Sequence, residues 1–439
     1  MFKRTLFSLL AVVVIVAGVI PGIIGIQAES EYQRLQGRLE LLSRQAGFVI
    51  LRNEYQRGWL TSAALTELDP GNGGTPLVLV HRIHHGPFAP DGKILLAWME
   101  TDLQRPDEDA QDVLHADLLT RFELDKSANI ELNIPQFVVH SSTQNEKTEF
   151  SNVTGEIKIK PEDQTLQGRF SASAFSLSQN NKILMQGSEL NSRWDGDVGD
   201  TSIVSGRGWI DLEMLSILAD DGRAMEVTML SISGESRVNG GMLDVEGGYS
   251  ADKIGVNDYT FGPVEMRMNL RNLPAETLSK MQNDRSSNIP LELLSEILQA
   301  QPKMSIEHLY LFTPEGELDA TLLAEFVGDG APINPVSLIR GISVDGNLRI
   351  TRGLLRFIME KQLAQEMISM GVVSAGLPAE ELERKLESML EARLAEFEQQ
   401  GYFERKDDGM HSQLKLRDGS LTINEHQLPL PFIMPMPAG

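Results

Sequence analysis

Three of the chain's eight histidines fall within five residues, at His81, His84 and His85, and such a cluster could bind a metal ion. On a β-strand His81 and His85 would share one face and His84 the other, because side chains alternate. Zinc needs a third and usually a fourth ligand, and the spacing of the other histidines and carboxylates supplies none. We interpret the three as exposed strand histidines before a Gly-Pro turn. The alternatives are a metal site and a pH-sensitive contact.

Motifs for covalent or phosphoryl chemistry are missing from the sequence. There is no G-x-S-x-G elbow, and the glycines at 71–74 have no Lys-Ser/Thr after them and open no helix. With 62 acidic residues, any choice of a glycosidase pair would be arbitrary. The chain has no cysteine, which removes thiol catalysis and Cys-based metal sites. The sequence therefore predicts a protein that is not an enzyme and that has no metal and no cofactor.

Two short blocks are the candidate binding or structural motif. Gly58 before Trp59 is typical of a strand that starts after a tight turn, and Trp59 and Phe88 could cap the first hairpin of a sheet. The alternative is a binding role for an exposed face of aromatic and histidine side chains. The candidate residues are Tyr55, Arg57, Gly58 and Trp59 in the first block and His85, Gly86, Pro87 and Phe88 in the second.

An apolar segment near the N-terminus predicts where this chain is located. Residues 5–28 carry no charge, and Lys3 and Arg4 precede them. As a helix, Leu6 to Ile26 would span roughly 30 Å, the thickness of a bilayer core. Positive-inside logic then places the bulk of the chain outside the cytoplasm. We predict a single-pass protein of a bacterial inner membrane whose bulk lies in the periplasm. The alternatives are a cleaved signal peptide and a buried core helix.

Composition limits the partners. The formal net charge is −23, with 62 acidic and 39 basic residues, so the basic footprint of a nucleic-acid-binding protein is absent. An acidic body is repelled by anionic lipid headgroups, so membrane attachment is assigned to residues 5–28. Without cysteine there are no disulfides, and burial and hydrogen bonding must hold the fold.

Most of the chain alternates apolar and polar residues, which predicts antiparallel strands with one buried face. The clearest runs are 130–134, 153–159, 264–270, 318–326, 342–350 and 414–423. Asp418-Gly419 in the last run predicts a hairpin. A change of parity between Ala174 and Phe175 predicts a β-bulge.

The sequence also predicts helices, one before the strand-rich part of the chain and three in its C-terminal half. Residues 31–45 form a membrane-proximal helix, and Pro290–Ala300 is a short helix. Gly353–Met370 and Pro378–Gln400 form a helical pair joined by a linker at 371–377. Packing of this pair on the sheet is the first interpretation, and a mobile lid or partner-docking surface is the alternative.

The two candidate blocks, following an N-terminal apolar segment, resemble the YdgA-like family of bacterial envelope proteins, a domain of unknown function. Its pattern is a Y-x-R-G-aromatic-x-[ST]-S block, an H-G-P block, repeated β segments, a late helical insert and a terminal hairpin. Residues 419–425 match that hairpin except that Glu425 replaces its last glycine, and 428–431 match its Pro-rich tail. The resemblance implies an inner-membrane-anchored periplasmic protein without assigned catalytic residues.

The sequence thus predicts an α+β protein, with one transmembrane helix followed by a long, bent, mainly antiparallel sheet and a late helical pair. We expect a non-enzymatic envelope protein that binds an apolar ligand or lipid along its sheet. The alternative is a scaffold that docks another envelope protein through the helical pair. The predicted divisions are 1–28 (cytoplasmic tip and anchor), 29–46 (membrane-proximal helix), 47–272 (β-rich region), 273–303 (helical insert), 304–351 (strands), 352–401 (helical hairpin) and 402–439 (β-hairpin and tail).

Overall fold

The chain divides into two compact units, Met1–Ala224 (unit 1) and Met225–Gly439 (unit 2). The boundary falls within the range 47–272. The computed structural model describes residues 25–33, 36–37, 49–69, 76–89, 91–104, 116–141, 146–160, 164–180, 182–198, 204–219, 222–257, 259–283, 290–328, 335–369, 379–406 and 409–428.

The described part of unit 1 is an antiparallel meander in which each strand pairs with the next along the chain. Its strands are β1 (Val49–Gln56), β2 (Thr61–Asp69), β3 (Leu77–His85), β4 (Ala97–Gln104), β5 (Asp117–Phe122), β6 (Ala128–Ser141), β7 (Glu146–Lys160), β8 (Thr165–Gln179), β9 (Lys182–Val198) and β10 (Val204–Leu218). Alternate connections of a meander lie at the same end of the sheet. The β1–β2, β3–β4 and β5–β6 connections are therefore neighbours.

The main core of unit 1 lies between this sheet and a helical segment at residues 25–33 and 36–37, which we term the N-terminal helical segment. Ala28 and Tyr32 from the segment pack with Ile83, Phe122 and other inward-facing strand residues. Ala28 and Ile83 are completely inaccessible to solvent. A second, smaller cluster of Ile134, Val153 and Ala172 lies farther along β6–β8.

Unit 2 also contains an antiparallel sheet. The strands are β11 (Ala224–Asn239), β12 (Met242–Ala251), β13 (Lys253–Val256), β14 (Tyr259–Phe261), β15 (Val264–Pro274), β16 (Lys303–Thr313), β17 (Gly316–Phe326), β18 (Ile342–Ile350), β19 (Glu404–Lys406), β20 (Gly409–Arg417), β21 (Ser420–Ile423) and β22 (His426–Leu428). Strand β11 pairs with β13 through its first half and with β12 through its second half. Strand β12 then pairs with β15, and β15, β16, β17, β18 and β20 follow in order.

Five helices accompany the sheet of unit 2 in its described residues. They are α1 (Ala275–Asn283), α2 (Leu291–Gln299), α3 (Pro335–Gly341), α4 (Arg352–Ser369) and α5 (Ala379–Gln399). Helices α4 and α5 form a hairpin whose apolar stripes pack against Ile350 and Met410 of β18 and β20. Ion pairs of Arg356 with Glu387 and Glu391 fasten the two helices to each other.

The predicted antiparallel sheet with a few helices is confirmed, and the six alternating runs all lie in strands. The Asp418-Gly419 hairpin is confirmed, with both residues at positive φ as a type I′ turn requires. The prediction of a β-bulge between Ala174 and Phe175 is wrong. Pairing of β7 with β8 shows no register shift, and the irregularity falls between Leu177 and Ser178 against β9.

Parts of the sequence predictions fall outside the described residues. These are residues 5–24 of the predicted anchor, all of 38–46, the linker 371–377 and the Pro-rich tail from 429. None of the described helices is long and apolar enough to cross a membrane.

Candidate functional site

The structure brings the two predicted blocks together at one end of the unit 1 sheet. The first block spans the β1–β2 connection, and the second begins the β3–β4 connection. Thr61 pairs with His84, which places the two connections side by side. The backbone N–H of His85 donates to the carbonyl of Leu60 at 3.0 Å, and that of Gly86 donates to Leu96 at 2.9 Å. The Gly86-Pro87 peptide bond is cis, and the carbonyl of Pro87 accepts from Leu95.

A hydrogen-bonded pair, Ser62 and His85, fastens the two blocks. The Ser62 Oγ lies 2.8 Å from His85 Nε2, and His85 Nδ1 lies 2.8 Å from the carbonyl oxygen of Trp59. A carbonyl only accepts, so Nδ1 donates to it, and in the neutral form of the ring Nε2 accepts from the Ser62 hydroxyl. The Gly58 N–H donates to the same hydroxyl at 3.4 Å.

A hydroxyl bonded to an oriented imidazole is also the arrangement of an activated nucleophile. Here Ser62 is only 3% exposed and His85 8%, so the hydroxyl does not face an open cleft. A backbone carbonyl, not a carboxylate, orients the ring. In the described part of the chain, no group of three or more His, Asp or Glu side chains is placed to bind a metal ion. The geometry supports a fastening role for the pair.

Two glycines of the blocks stand where no other residue fits. A Cβ added to Gly58 would lie 2.1 Å from the carbonyl oxygen of Thr61. A Cβ added to Gly86 would lie 2.1 Å from the carbonyl oxygen of Leu95. Real Cβ atoms do not approach backbone oxygens so closely, so the tight backbone packing within each connection requires glycine at both positions.

Replacement of Ser62 should destabilise unit 1. We expect Ser62→Ala to lower the free energy of unfolding by about 1–3 kcal/mol, because it leaves the buried His85 Nε2 without its donor. Ser171→Ala is the matched control, since its hydroxyl also bonds a side chain, Thr154 at 2.7 Å, but at an exposed position. The control should change stability by less than about 0.5 kcal/mol in denaturant titrations. Equal effects of the two variants would contradict the fastening role.

Next to this pair, a buried polar network holds the N-terminal helical segment on the sheet. The Thr66 hydroxyl is its centre, 3.3 Å from Tyr32 Oη, 3.3 Å from Gln36 Nε2 and 3.0 Å from His81 Nε2. His81 Nδ1 lies 2.8 Å from the Thr101 hydroxyl. All five residues are nearly inaccessible to solvent.

Burial has a strong effect on the titration of this network. Removal of the imidazole from water lowers the pKa of His81 to about 4, so the ring is neutral at neutral pH. Burial raises the pKa of Tyr32, in opposition to its hydrogen bonds with Thr66 and Gln36. The network is therefore uncharged at neutral pH. This suits the buried contact between the helical segment and the sheet, because an unpaired charge away from water is costly.

The prediction of which sheet face each histidine points to is confirmed, but the prediction that the histidines are exposed is wrong for His81 and His85. His81 and His85 do share a face and His84 points away, stacked on Trp98 with ring centroids 3.8 Å apart. However, His81 is 4% and His85 8% exposed, because the helical segment covers their face. A Cβ on Gly25 would meet the His85 ring.

The remaining candidate residues surround the junction. Tyr55 is partly buried, with its ring centroid 5.2 Å from that of Tyr32. Arg57 pairs with Glu29 of the helical segment at 3.2 Å. Trp59 and Phe88 are exposed, at 62% and 66%. The prediction that these two side chains cap the first hairpin is therefore wrong, because neither is buried against it.

A comparison with known protein families shows which family this chain is related to. Residues 1–431 match the family described as a bacterial protein of unknown function, DUF945. The chain belongs to the DUF945 family. No curated protein and no solved structure matches the chain. The DUF945 description contains no reaction, so the roles of the residues rest on the geometry above.

Sequence reasoning missed Tyr32, Thr66 and Thr101 in this DUF945 protein. Their hydrogen bonds join residues 15 to 34 positions apart, so no local spacing reveals them. One available signal was the inward parity of β2, which carries Ser62, Ala64 and Thr66 where a buried strand usually carries large apolar residues. Small polar inward positions indicate a face that receives another element.

Proposed function

We propose that this DUF945 protein is a non-enzymatic envelope protein, similar to the YdgA-like group, that binds a lipid acyl chain or similar apolar ligand along the unit 1 sheet. We place it in a bacterial inner membrane with its bulk in the periplasm. Residues 5–24 of the predicted anchor 5–28 provide the attachment, because Gly25 and Ala28 pack on the sheet. The observation that supports an apolar ligand is a partly exposed apolar face across β7–β10.

Two cross-strand rows make up this apolar face. Directly paired residues point to the same side of a sheet. The first row is Phe150, Phe175, Gly187 and Leu215, and the second row is Thr148, Leu177, Met185 and Ile217. The Phe150 and Phe175 ring centroids are 6.0 Å apart, and the Phe175 ring lies over Gly187, where a Cβ would meet it.

The apolar face has little cover among the described residues of unit 1. Its side chains are all of intermediate exposure except for the buried Gly187. The helical residues described in unit 1 are those of the N-terminal segment, which pack on the other cluster, around Ile83 and Phe122. Four strands at about 4.8 Å spacing make the face roughly 15–20 Å wide, close to the length of an extended acyl chain. Apolar surface of this extent on one side of a sheet favours an apolar ligand.

The opposite side of the same strands supports this assignment by contrast. Glu149, Ser176, Gln186 and Ser216 pair across β7–β10 between the two apolar rows. One side of the sheet is thus polar and the other apolar at the same level. Such alternation requires a partner for the apolar side.

The scaffold alternative has less support. The apolar stripe of the α4–α5 hairpin is already buried in unit 2, since Leu354 is 2%, Leu390 1% and Leu394 3% exposed. A partner would have to recognise the charged outer surface of the hairpin. We therefore favour the apolar ligand.

Photocrosslinking tests the proposal. The full-length chain is incubated with a phospholipid carrying a diazirine on its acyl chain, irradiated, and digested for mass spectrometry. We expect adducts on peptides of β7–β10, and a several-fold loss of them in a Leu177→Gln, Met185→Gln double variant. Ser176→Gln, on the opposite side, is the control and should retain them. Adducts on β7–β10 that are equally abundant in the double variant and in the unmodified protein would contradict the proposal.

A further inference from the structure

The hairpin tips at one end of the unit 1 sheet expose large apolar side chains. We term this surface the apolar tips: Trp59 and Leu60 in the β1–β2 connection, Phe88 and Ile94 in β3–β4, and Leu124 in β5–β6. They are 62%, 56%, 66%, 59% and 67% exposed, respectively. Phe88 and Ile94 face each other across an isolated β-bridge, and the backbone of Leu96 bonds that of Phe122. Three successive connections thus form one surface.

The apolar N-terminal sequence meets the sheet at this same end. Gly25 packs against the ring of His85, directly beside the Trp59 carbonyl that the ring bonds. Ile26 is 57% exposed. From there the helical segment runs along the sheet, with Glu29 at Arg57 and Tyr32 at Asn53 and Thr66. Residues 5–24, which precede Gly25, contain no charged residue.

The connections at the other end of these strands have a different composition. Residues 70–75 are Pro, Gly, Asn and Thr, and 142–145 are Ser, Thr, Gln and Asn. Residues 105–115 include four acidic residues, and Val113 and Leu114 are their large apolar residues. Apolar residues therefore concentrate at the end where the uncharged N-terminal sequence enters.

We propose that the apolar tips contact the lipid of the bilayer that holds residues 5–24, and so seat unit 1 on the membrane surface. Tryptophan and other large apolar side chains favour the boundary between headgroups and acyl chains. A phospholipid surface, more than a protein, fits tips that are continuous with the point where an uncharged segment of spanning length ends. The tips supply a second lipid contact besides the span, which the acidic composition alone would not provide.

This inference rests on the membrane attachment in the proposed function, but not on a ligand of the β7–β10 face. With its tips on the bilayer, unit 1 would hold a fixed orientation relative to the lipid. The tips are placed by the Ser62–His85 pair and by Gly86, so the two sequence blocks act here as positioning elements.

The absence of cysteine makes a site-specific test simple. Leu60→Cys, Phe88→Cys and Leu124→Cys variants of the full-length chain are labelled with an environment-sensitive fluorophore and reconstituted into vesicles of phosphatidylcholine and phosphatidylglycerol. A phosphatidylcholine with a doxyl group near the headgroup serves as quencher. Leu51→Cys is the matched control, because Leu51 is 54% exposed but lies in β1, several residues from the tips.

We expect several-fold stronger quenching at the three tip positions than at Leu51, with a blue shift of the tip emission. Vesicle flotation is measured on the same samples. Flotation with tip quenching no greater than at Leu51 would overturn this inference alone. Failure to float would overturn it together with the proposed membrane attachment. Loss of acyl crosslinks on β7–β10 would leave it standing.

Discussion

Acidification from about pH 7 to about pH 4 should lower the free energy of unfolding of unit 1 by about 3 kcal/mol through His81 alone. The side chain is 4% exposed, and burial lowers its pKa to about 4. In the unfolded chain the same imidazole titrates near the ordinary value of about 6.5. The unfolded state therefore binds the proton more tightly, and acid favours unfolding.

The direction and window of the effect follow from these two pKa values. Above about pH 6.5 the ring is neutral in both states, so the stability is fully present. Stability falls as the pH declines from about 6.5 to about 4, and the contribution of His81 becomes constant below that. The loss should act first on the contact between the sheet and the N-terminal helical segment, because Thr66 joins His81 to Tyr32 and Gln36.

Denaturant titrations of the full-length chain in detergent at several pH values measure this effect. His81→Gln should be less stable at neutral pH but should lose most of the slope between about pH 6.5 and about pH 4, which separates it from the titration of carboxylates. His84→Gln is the control. Burial also lowers the pKa of His84, but this side chain is 26% exposed and lies on the other face, stacked on Trp98, so its variant should keep most of the slope. An unchanged slope in His81→Gln would show that His81 is not the responsible group.

The strands were predictable because period-two alternation is a local property of the sequence. The run 342–350 is β18 residue for residue, and alternation also gave the relative facing of His81, His84 and His85. Alternation cannot say which face another element covers. The N-terminal helical segment, more than 40 residues before His81 in the chain, decides that His81 and His85 are buried. The exposure of those two residues was therefore not predictable from their own strand.

The terminal hairpin shows how the structure explains a sequence motif. The YdgA-like pattern has glycine where this chain has Glu425, and Glu425 adopts φ +68° in the turn between β21 and β22. Glycine adopts this conformation without strain, whereas another residue loses roughly 1 kcal/mol. The motif glycine thus reflects turn geometry, and Glu425 is tolerated because the strain is small.

The blocks around Gly58 and Gly86 were recognised as motifs, but their physical cause lies in the tertiary structure. Close approach of a backbone oxygen from the same connection, and not a special backbone torsion, requires glycine at both positions. The bulge between Ala174 and Phe175 failed for a related reason. A change of parity in one strand does not reveal whether its partner accommodates the change without an inserted residue.

Gly86→Ala should destabilise unit 1 by about 3 kcal/mol or more, the largest effect that we expect from any single substitution in the junction. The added Cβ would lie 2.1 Å from the Leu95 carbonyl oxygen and 2.7 Å from that of Leu96. Both atoms belong to the backbone, so no side-chain rotation relieves the overlap. Separation of the two ends of the β3–β4 connection would also weaken the Gly86 N–H bond to Leu96, now 2.9 Å.

Gly92→Ala is the matched control within the same connection. Gly92 has φ +80° and no atom within 4 Å of an added Cβ, so alanine there meets only backbone strain, about 1–2 kcal/mol. Chemical denaturation of the two variants separates close approach from conformational strain. Because Gly86 holds Phe88 and Trp59 at one end of the sheet, its variant should also reduce lipid quenching at the apolar tips. A cost no greater than that of Gly92→Ala would mean that close packing at Gly86 does not fix the β3–β4 connection, and Phe88 would then have no fixed position to present to a membrane.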